Sequence, residues 1–257
     1  MTVDFIMFVA VGFLAQLVDG ALGMAYGVVS TTVLLTLGVA PANASASVHV
    51  AELFTTLASS ASHLWHGNVD KRLFWRLAPA GVIGGAIGAF ILTSVDGAQI
   101  KPYIVAYMAV MGVVIIWRTV RAVAPWKNLT DGAAPLGLLG GFVDAVGGGG
   151  WGPVVSTTLV GAGGQPRYVI GTVNTAEFLV TASISATFVI ALVTGHWEDA
   201  GDLTKNVAAV AGLIVGGLCA APLAGYAVKT IAPRTLGIAV GVLVLVLVAY
   251  QVVRLIG

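Results

Sequence analysis

A single shift of 125 positions lays the second half of the chain over the first. It pairs Gly12 with Gly137, Val18 with Val143, Asp19 with Asp144, Gly23 with Gly148, Gly27 with Gly152, Pro41 with Pro166, Glu52 with Glu177, Thr56 with Thr181 and Ser60 with Ser185. Matches between small or apolar residues carry little weight in such a chain. Two Asp and two Glu in register, out of only 11 acidic residues in 257, carry a great deal. The chain is an internal duplication, so its fold must be one that two copies of the same unit can build together. The expected division is a first repeat over 1–124, a linker over 125–132 and a second repeat over 133–257.

Composition identifies the solvent. Hydrophobic residues make up 58% of the chain and charged residues 9%, against roughly 25% charged in soluble domains. This predicts an all-α polytopic membrane protein in contact with a lipid bilayer. The net charge of +1 gives no footing for nucleic acid. The single Cys219 excludes an intramolecular disulfide and reads as a small lipid- or core-facing residue. Before the first apolar run stands Asp4 with no Lys or Arg, so that run reads as a retained membrane segment rather than a signal peptide.

Apolar segments fall at about 4–18, 22–38, 43–65, 73–94 and 102–122, and again at about 133–146, 150–163, 168–194, 204–228 and 234–255. The first two of each set are shorter than the roughly 20 residues needed to span a bilayer, so each pair is expected to be two half-helices able to fold as a re-entrant hairpin. Five segments per repeat is an odd number, and three spans plus a hairpin is odd as well. The second repeat must then enter from the opposite side, giving two inverted five-segment repeats, the plan of many secondary transporters.

Lys and Arg set the orientation. One face carries Lys71, Arg72, Arg76, Arg118, Arg121, Lys127, Arg167, Lys229 and Arg234, the other Lys101, Lys205 and Arg254. The richer face is expected in the cytoplasm, with both termini outside. Trp65, Trp75, Trp117 and Trp126 fall on the cytoplasmic side and Trp197 on the other, as interfacial anchors would. Asp96, Glu198, Asp199 and Asp202 fall mostly outside.

The repeated stretch DGALGMAYG, Asp19 to Gly27, returns as DAVGGGGWG, Asp144 to Gly152. Both interrupt an apolar run with a carboxylate and helix-breaking glycines, which in a membrane need protein or a cavity around them. As hairpin tips they would meet near mid-membrane, with half-helices starting near Gly23 and Gly150, and Pro153 fits the first turn of the second. Helix N-termini and glycine amides suit an anion. The expected binding residues are Asp19, Gly20, Gly23, Tyr26 and Gly27 from one tip, and Asp144, Gly147, Gly148, Gly149, Gly150, Trp151 and Gly152 from the other. Tight packing is the alternative use of glycine, preferred for Gly84, Gly85, Gly216 and Gly217, which have no acidic neighbour. Tyr26 and Trp151 could equally line a path or fill space beside glycine.

A second pair of motifs is VHVAELF, Val48 to Phe54, and VNTAEFL, Val173 to Leu179. Pro41 and Pro166 mark the starts of their helices, which sets Glu52 and Glu177 about 15 Å along, near the bilayer midplane. His49 and Asn174 precede them by three residues and Thr56 and Thr181 follow by four, on the same helical face. Burial disfavours a charged Glu, and His49 beside Glu52 makes a titratable pair. Glu52, Glu177 and His49 are therefore the expected proton-coupling residues, and His49 with Asn174 is added to the binding set. A polar network pinning helices together is the alternative.

Other histidines offer less. His63 and His66 sit beside Asp70, Lys71 and Arg72 in what reads as a wet loop, and His196 in an outer loop. No metal site and no cofactor is expected. Ser47 and His49 diverge on one helix, and no other nucleophile pair has convincing spacing, so no enzyme is expected.

The stretches VDGALGMAYG, VDAVGGGGWG, PANAS and NTAE resemble the TauE/SafE family of membrane proteins, described as sulfite exporters or anion permeases, over essentially the whole chain. The resemblance implies secondary transport of small sulfur-containing anions such as sulfite, sulfonates or sulfoacetate across a bacterial inner membrane, with a small anion as the partner. The residues themselves leave a proton- or sodium-coupled cation or metal carrier open, because midplane carboxylates suit cations.

Overall fold

The computed structural model describes residues 2–121, 130–197, 200–201, 206–230 and 233–256. Most of the 125–132 linker, with Trp126 and Lys127, lies outside them, as do Glu198, Asp199, Asp202 and Lys205. The described chain is helical throughout: α1 (Thr2–Leu22), α2 (Tyr26–Thr36), α3 (Pro41–Trp65), α4 (Lys71–Ser94), α5 (Gly97–Val120), α6 (Ala133–Gly147), a π-helical turn (Gly152–Ser156) leading into α7 (Thr157–Gly161), α8 (Pro166–Val193), α9 (Val207–Thr230) and α10 (Pro233–Ile256).

Local chemistry fixes many of these ends. Pro41 and Pro166 occupy first-turn positions in α3 and α8, where a missing N–H is no loss. Asp70 caps α4 by accepting from Arg72 N at 2.8 Å and Leu73 N at 3.1 Å, and Asp96 caps α5 by accepting from Ala98 N at 2.7 Å. Gly23 and Gly148 close α1 and α6 in the left-handed conformation, at φ +67° and +64°.

The first segment is longer than its apolar run suggests. α1 has 21 residues and α6 has 15, so Asp19 and Asp144 sit in the last turns of these helices rather than in the breaks. The first half-helix also begins later than expected, at Tyr26 instead of near Gly23. The reason is that helix geometry continues until a glycine with positive φ stops it, and a carboxylate alone does not.

Among the described residues, four stretches are long and apolar enough to cross a membrane: α4, α5, α8 and Gly237–Leu255 within α10. α3 has ample length with 25 residues, but it spends its polar side chains inward, burying Ser45, Ser47, His49, Glu52, Thr55, Thr56 and Ser60. Exposed apolar residues such as Ile83, Phe90, Val110, Val189 and Val246 form the exterior and suit lipid.

Packing follows the duplication. α1 lies along α9 and α6 along α4, α4 meets α8 as α9 meets α3, and α3 pairs with α8 and α5 with α10. α3 and α8 run in opposite directions. Arg167 at the start of α8 donates to Asn68 Oδ1 (2.6 Å) and His66 O (3.2 Å) just past the end of α3, while Asn43 near the start of α3 donates to Ala200 O (3.0 Å) beyond the end of α8. Trp65, Trp75 and Trp117 are exposed, as anchors would be. Trp197 differs from that expectation: it is buried, with its ring 5.5 Å from that of Phe188.

Glycine makes the close helix pairs possible. A Cβ on Gly84 would land on the carbonyl oxygen of Leu138, and one on Gly216 on that of Val9. Gly85 and Gly217 leave room for Ile184 and Thr55. Packing is thus the use of all four. Gly84→Ala should lower stability by about 1–3 kcal/mol, because backbone rather than a movable side chain stands in the way. Thermal unfolding in detergent checks this against Ile83→Ala, a neighbour facing outward, which should be near neutral; equal midpoints for the two variants would contradict the packing role.

Candidate functional site

The two glycine tips meet. Gly27, at the start of α2, lies against Gly149 so closely that a Cβ on it would come within 2.6 Å of the Gly149 Cα and 2.9 Å of Glu52 Oε1. Gly152 abuts Met24 in the same way, with its Cβ position 2.6 Å from the Met24 Cα. Thr31 donates a short hydrogen bond to Gly148 O, and Tyr107 from α5 donates to Gly149 O at 3.3 Å. The break of each half thus meets the first turn of the helix that follows the break in the other half, glycine against backbone.

Each tip is tied by its own aspartate. Asp144 Oδ1 accepts the amides of Gly150 (2.6 Å) and Trp151 (2.9 Å), and Asp19 Oδ1 accepts the amide of Tyr26 at 3.4 Å. These are the first N–H groups of the helices that follow, the ones left without intrahelical partners. The amides expected to be open to an anion are therefore engaged by carboxylates of the chain.

Around this junction lies a cavity of about 10 Å³, room for roughly one water. Its walls carry Asp19, Tyr26, Gly27, Asp144, Gly149, Gly150 and Gly152 from the expected set, together with Glu52 and Glu177. Ala25, Val28 and Pro153 also line it. Ala25 holds φ +105° without being glycine, and nothing in the sequence marks it. Gly20 is exposed on α1, Gly23 packs against Ile170, and Gly147 and Gly148 make room for Tyr107 and Thr31; none of these lines the cavity.

The aromatic pair is anchored. Tyr26 OH donates to Leu213 O at 3.0 Å and Trp151 Nε1 donates to Val173 O at 3.1 Å, both rings being buried. Tyr26 reaches the cavity wall and Trp151 stands behind it.

His49 is fully buried on α3, behind the wall, with Nδ1 2.8 Å from Ser45 O and Nε2 3.3 Å from Asp144 Oδ2. Ser45 Oγ in turn donates to Ala145 O at 2.6 Å. Glu52 Oε2 is buried with no hydrogen-bond partner. One ligand atom each from His49, Glu52 and Asp144 lie within 4.8 Å of one another, close enough to hold a cation. Asn174, at the position matching His49, donates to Ser59 Oγ at 3.1 Å, and its Oδ1 has no partner.

The remaining histidines lie elsewhere. His63 and His66 make separate local bonds to Asn68 and Ser62. His196 stacks on Phe90 at 4.2 Å and bonds Ser94 Oγ at 2.7 Å.

A small polar pocket lined by both halves of a multi-helix, apolar-surfaced chain is the arrangement of a multi-pass membrane transporter. The family can be named: the sulfite exporter TauE/SafE family matches residues 8–251, and the chain belongs to it. It is also 43% identical, over 243 residues, to "Probable membrane transporter protein YtnM" of Bacillus subtilis (strain 168), an alignment covering 92% of this chain and 78% of that protein. No solved structure matches it.

The capping role of Asp144 has a direct test. Asp144→Asn keeps an oxygen for the Gly150 and Trp151 amides, whereas Asp144→Ala leaves both buried donors unpaired and should cost about 1–3 kcal/mol more. Unfolding midpoints of the two variants should separate by several degrees, and coincidence of the two would deny the cap.

Proposed function

We propose that the protein is a proton-coupled secondary transporter that exports small sulfur-containing anions, such as sulfite, sulfonates or sulfoacetate, through a midplane site between two inverted repeats. It works without a catalytic step. The observation that carries this reading is the junction of the two glycine tips around a small cavity walled by Asp19, Glu52, Asp144 and Glu177. The opposed directions of α3 and α8, and the counterparts that the main helix pairings (α1 with α9, α4 with α8) have after the shift, support inversion of the halves. The choice of anion leans on the description of the family. The membrane is a bacterial inner membrane, with the end bearing Arg167, Lys71 and Arg72 in the cytoplasm and both termini outside.

The cavity, at about 10 Å³, is too small for any of these anions, so binding requires the tips to part. The anion would then meet the starts of two helices, whose first amides Asp19 and Asp144 would have to release to it. It would also meet four carboxylates and no Lys or Arg among the described residues of the wall. Coulomb repulsion is strong in such an environment, so the anion is accommodated when carboxylates are protonated. Glu52, whose Oε2 has no donor, and Glu177 are the groups assigned to carry the proton, with His49 beside them.

A second reading, a proton- or sodium-coupled cation or metal carrier, is favoured by the cluster of His49, Glu52 and Asp144. Thermal stabilisation of the purified protein decides between them. Sulfite or sulfoacetate should raise the unfolding temperature; a response to divalent metal or sodium salts alone would replace the anion reading.

Two further outcomes follow from the anion reading. Affinity for a sulfonate, whose own charge is fixed, should strengthen as pH falls from about 8 to 5, approaching tenfold per unit where one proton binds with each anion; flat binding across that range would break the linkage. Glu52→Gln and Glu177→Gln keep shape and hydrogen bonding but not the proton, so accumulation under a pH gradient should fall far more than anion-for-anion exchange, whereas Glu→Ala should destabilise the fold. A Glu52→Gln protein that accumulates anion at the wild-type rate would remove that residue from the coupling path.

A further inference from the structure

The junction gathers three ligand atoms of kinds that bind metal. One atom each from His49, Glu52 and Asp144 lie within 4.8 Å of one another, and all three residues are buried. A carbonyl oxygen only accepts, so His49 Nδ1 donates to Ser45 O at 2.8 Å, and this turns Nε2 toward the other two. Asp144 Oδ1 is held by the amides of Gly150 and Trp151, which leaves Oδ2 to face Nε2 from 3.3 Å. Glu52 follows His49 by one helical turn, is 3% exposed and lines the central cavity, and its buried Oε2 has no hydrogen-bond partner.

Imidazoles that bind metal are commonly fixed by a hydrogen bond from the other ring nitrogen to a carbonyl, and metal-binding carboxylates by hydrogen bonds of their own. His49 and Asp144 are held in these two ways. Metal bonds of about 2.0–2.1 Å at tetrahedral angles set neighbouring ligand atoms about 3.3–3.4 Å apart, which is the separation of Nε2 and Oδ2. The orphaned carboxylate of Glu52 supplies a third ligand, and the adjoining cavity has room for one water as a fourth. One imidazole with two carboxylates suits zinc, cobalt or manganese, whereas sodium, magnesium and calcium prefer oxygen alone. Asp19 and Glu177 on the same cavity wall, with no Lys or Arg among its described residues, add to the attraction for a cation. We propose that His49, Glu52 and Asp144 bind one divalent transition-metal ion, and that this ion locks the two tips together.

The lock follows from where the ligands stand. His49 and Glu52 belong to α3 in the first half, and Asp144 to the last turn of α6, beside the second tip. Glu52 also borders the contact of Gly27 with Gly149. An ion on all three ties the first half to the second tip, so the parting that an anion needs costs the ion a ligand. The duplication leaves this set single: the position matching His49 is Asn174, whose amide is turned to Ser59 and is a poor ligand for such an ion. Asp144 stands 95 positions from His49, so no ligand spacing in the chain announces the site, and the expectation of no metal is revised here.

The lock rests on the anion-transport reading above; the metal site does not, and the two are tested apart. The full chain in detergent, stripped of metal, should take up one Co²⁺ with the absorption bands of a four- or five-coordinate ion. Zn²⁺ should displace it and raise the unfolding temperature, whereas Mg²⁺ and Na⁺ should do neither. His49→Asn and Glu52→Gln should each abolish the bands, and the surface pair His63→Ala with His66→Ala should keep them. X-ray absorption at the zinc edge of the wild-type protein, which needs no variant to fold, should show one imidazole among oxygen ligands. Absence of uptake, two or more imidazoles, or bands that persist in His49→Asn overturn the site. In proteoliposomes, Zn²⁺ at about ten times its dissociation constant should slow sulfoacetate exchange about tenfold, because the locked form gains weight as one plus the ratio of free ion to that constant. Unchanged exchange, or zinc that is itself carried across, overturns the lock. A wild-type protein that carries neither sulfoacetate nor sulfite defeats the transport reading and the lock with it, while cobalt uptake and X-ray absorption still decide the metal site.

Discussion

A helix broken inside a bilayer leaves peptide N–H groups that no water can reach, and the fold depends on how these are satisfied. Here the aspartate at the end of one helix turns its carboxylate back onto the first amides of the next, most fully at Asp144 with Gly150 and Trp151. Because that cap uses a single oxygen, the other remains to reach a different helix, and at Asp144 it reaches His49. One side chain thus closes a turn, fixes a half-helix and joins the two halves. The glycines serve this arrangement: without Gly27 and Gly149 the tips could not touch, and the aspartates would have no buried junction to bridge.

The same constraint explains how so apolar a chain can keep four carboxylates together at its centre. α3, which buries a polar stripe, turns it toward α8 and the tips. Hydroxyls on α2 and α3 bond largely to backbone carbonyls, as Thr32 does to Val28 O and Thr56 to Glu52 O, both at 2.6 Å. They add hydrogen-bonding capacity near the junction without adding charge.

The duplication and its paired acids were legible in the sequence because a constant offset between rare residues is hard to produce otherwise. Which residues would break the helix was legible too, and so was the packing role of Gly84 and Gly216. What the aspartates do was not. Asp19 looked like the interruption itself, yet it lies within α1 and acts on Tyr26 N seven positions later. The partnership of His49 with Asp144 spans 95 positions, and only the folded arrangement of the halves brings the two together. Ala25 escaped notice because its backbone conformation is one that glycine would normally signal, and Trp197 because an aromatic near an apolar boundary suits an interface as well as a core.

The halves are alike in order but not in pitch. Gly27 to Pro41 and Gly152 to Pro166 contain the same number of residues, yet the first begins as a regular α-helix and the second as a wider π-helical turn. Such turns shorten the rise and mark functional sites in helices. In a carrier whose outward and inward exposures exchange the roles of the two halves, a perfect repeat would make those exposures equal in energy. In the proposed cycle the π turn on one side, and His49 against Asn174, would remove that degeneracy and leave the unloaded carrier with one face preferred. A built-in preference of this kind would make the entry affinities on the two sides unequal, while the direction of net flow would still belong to the gradients.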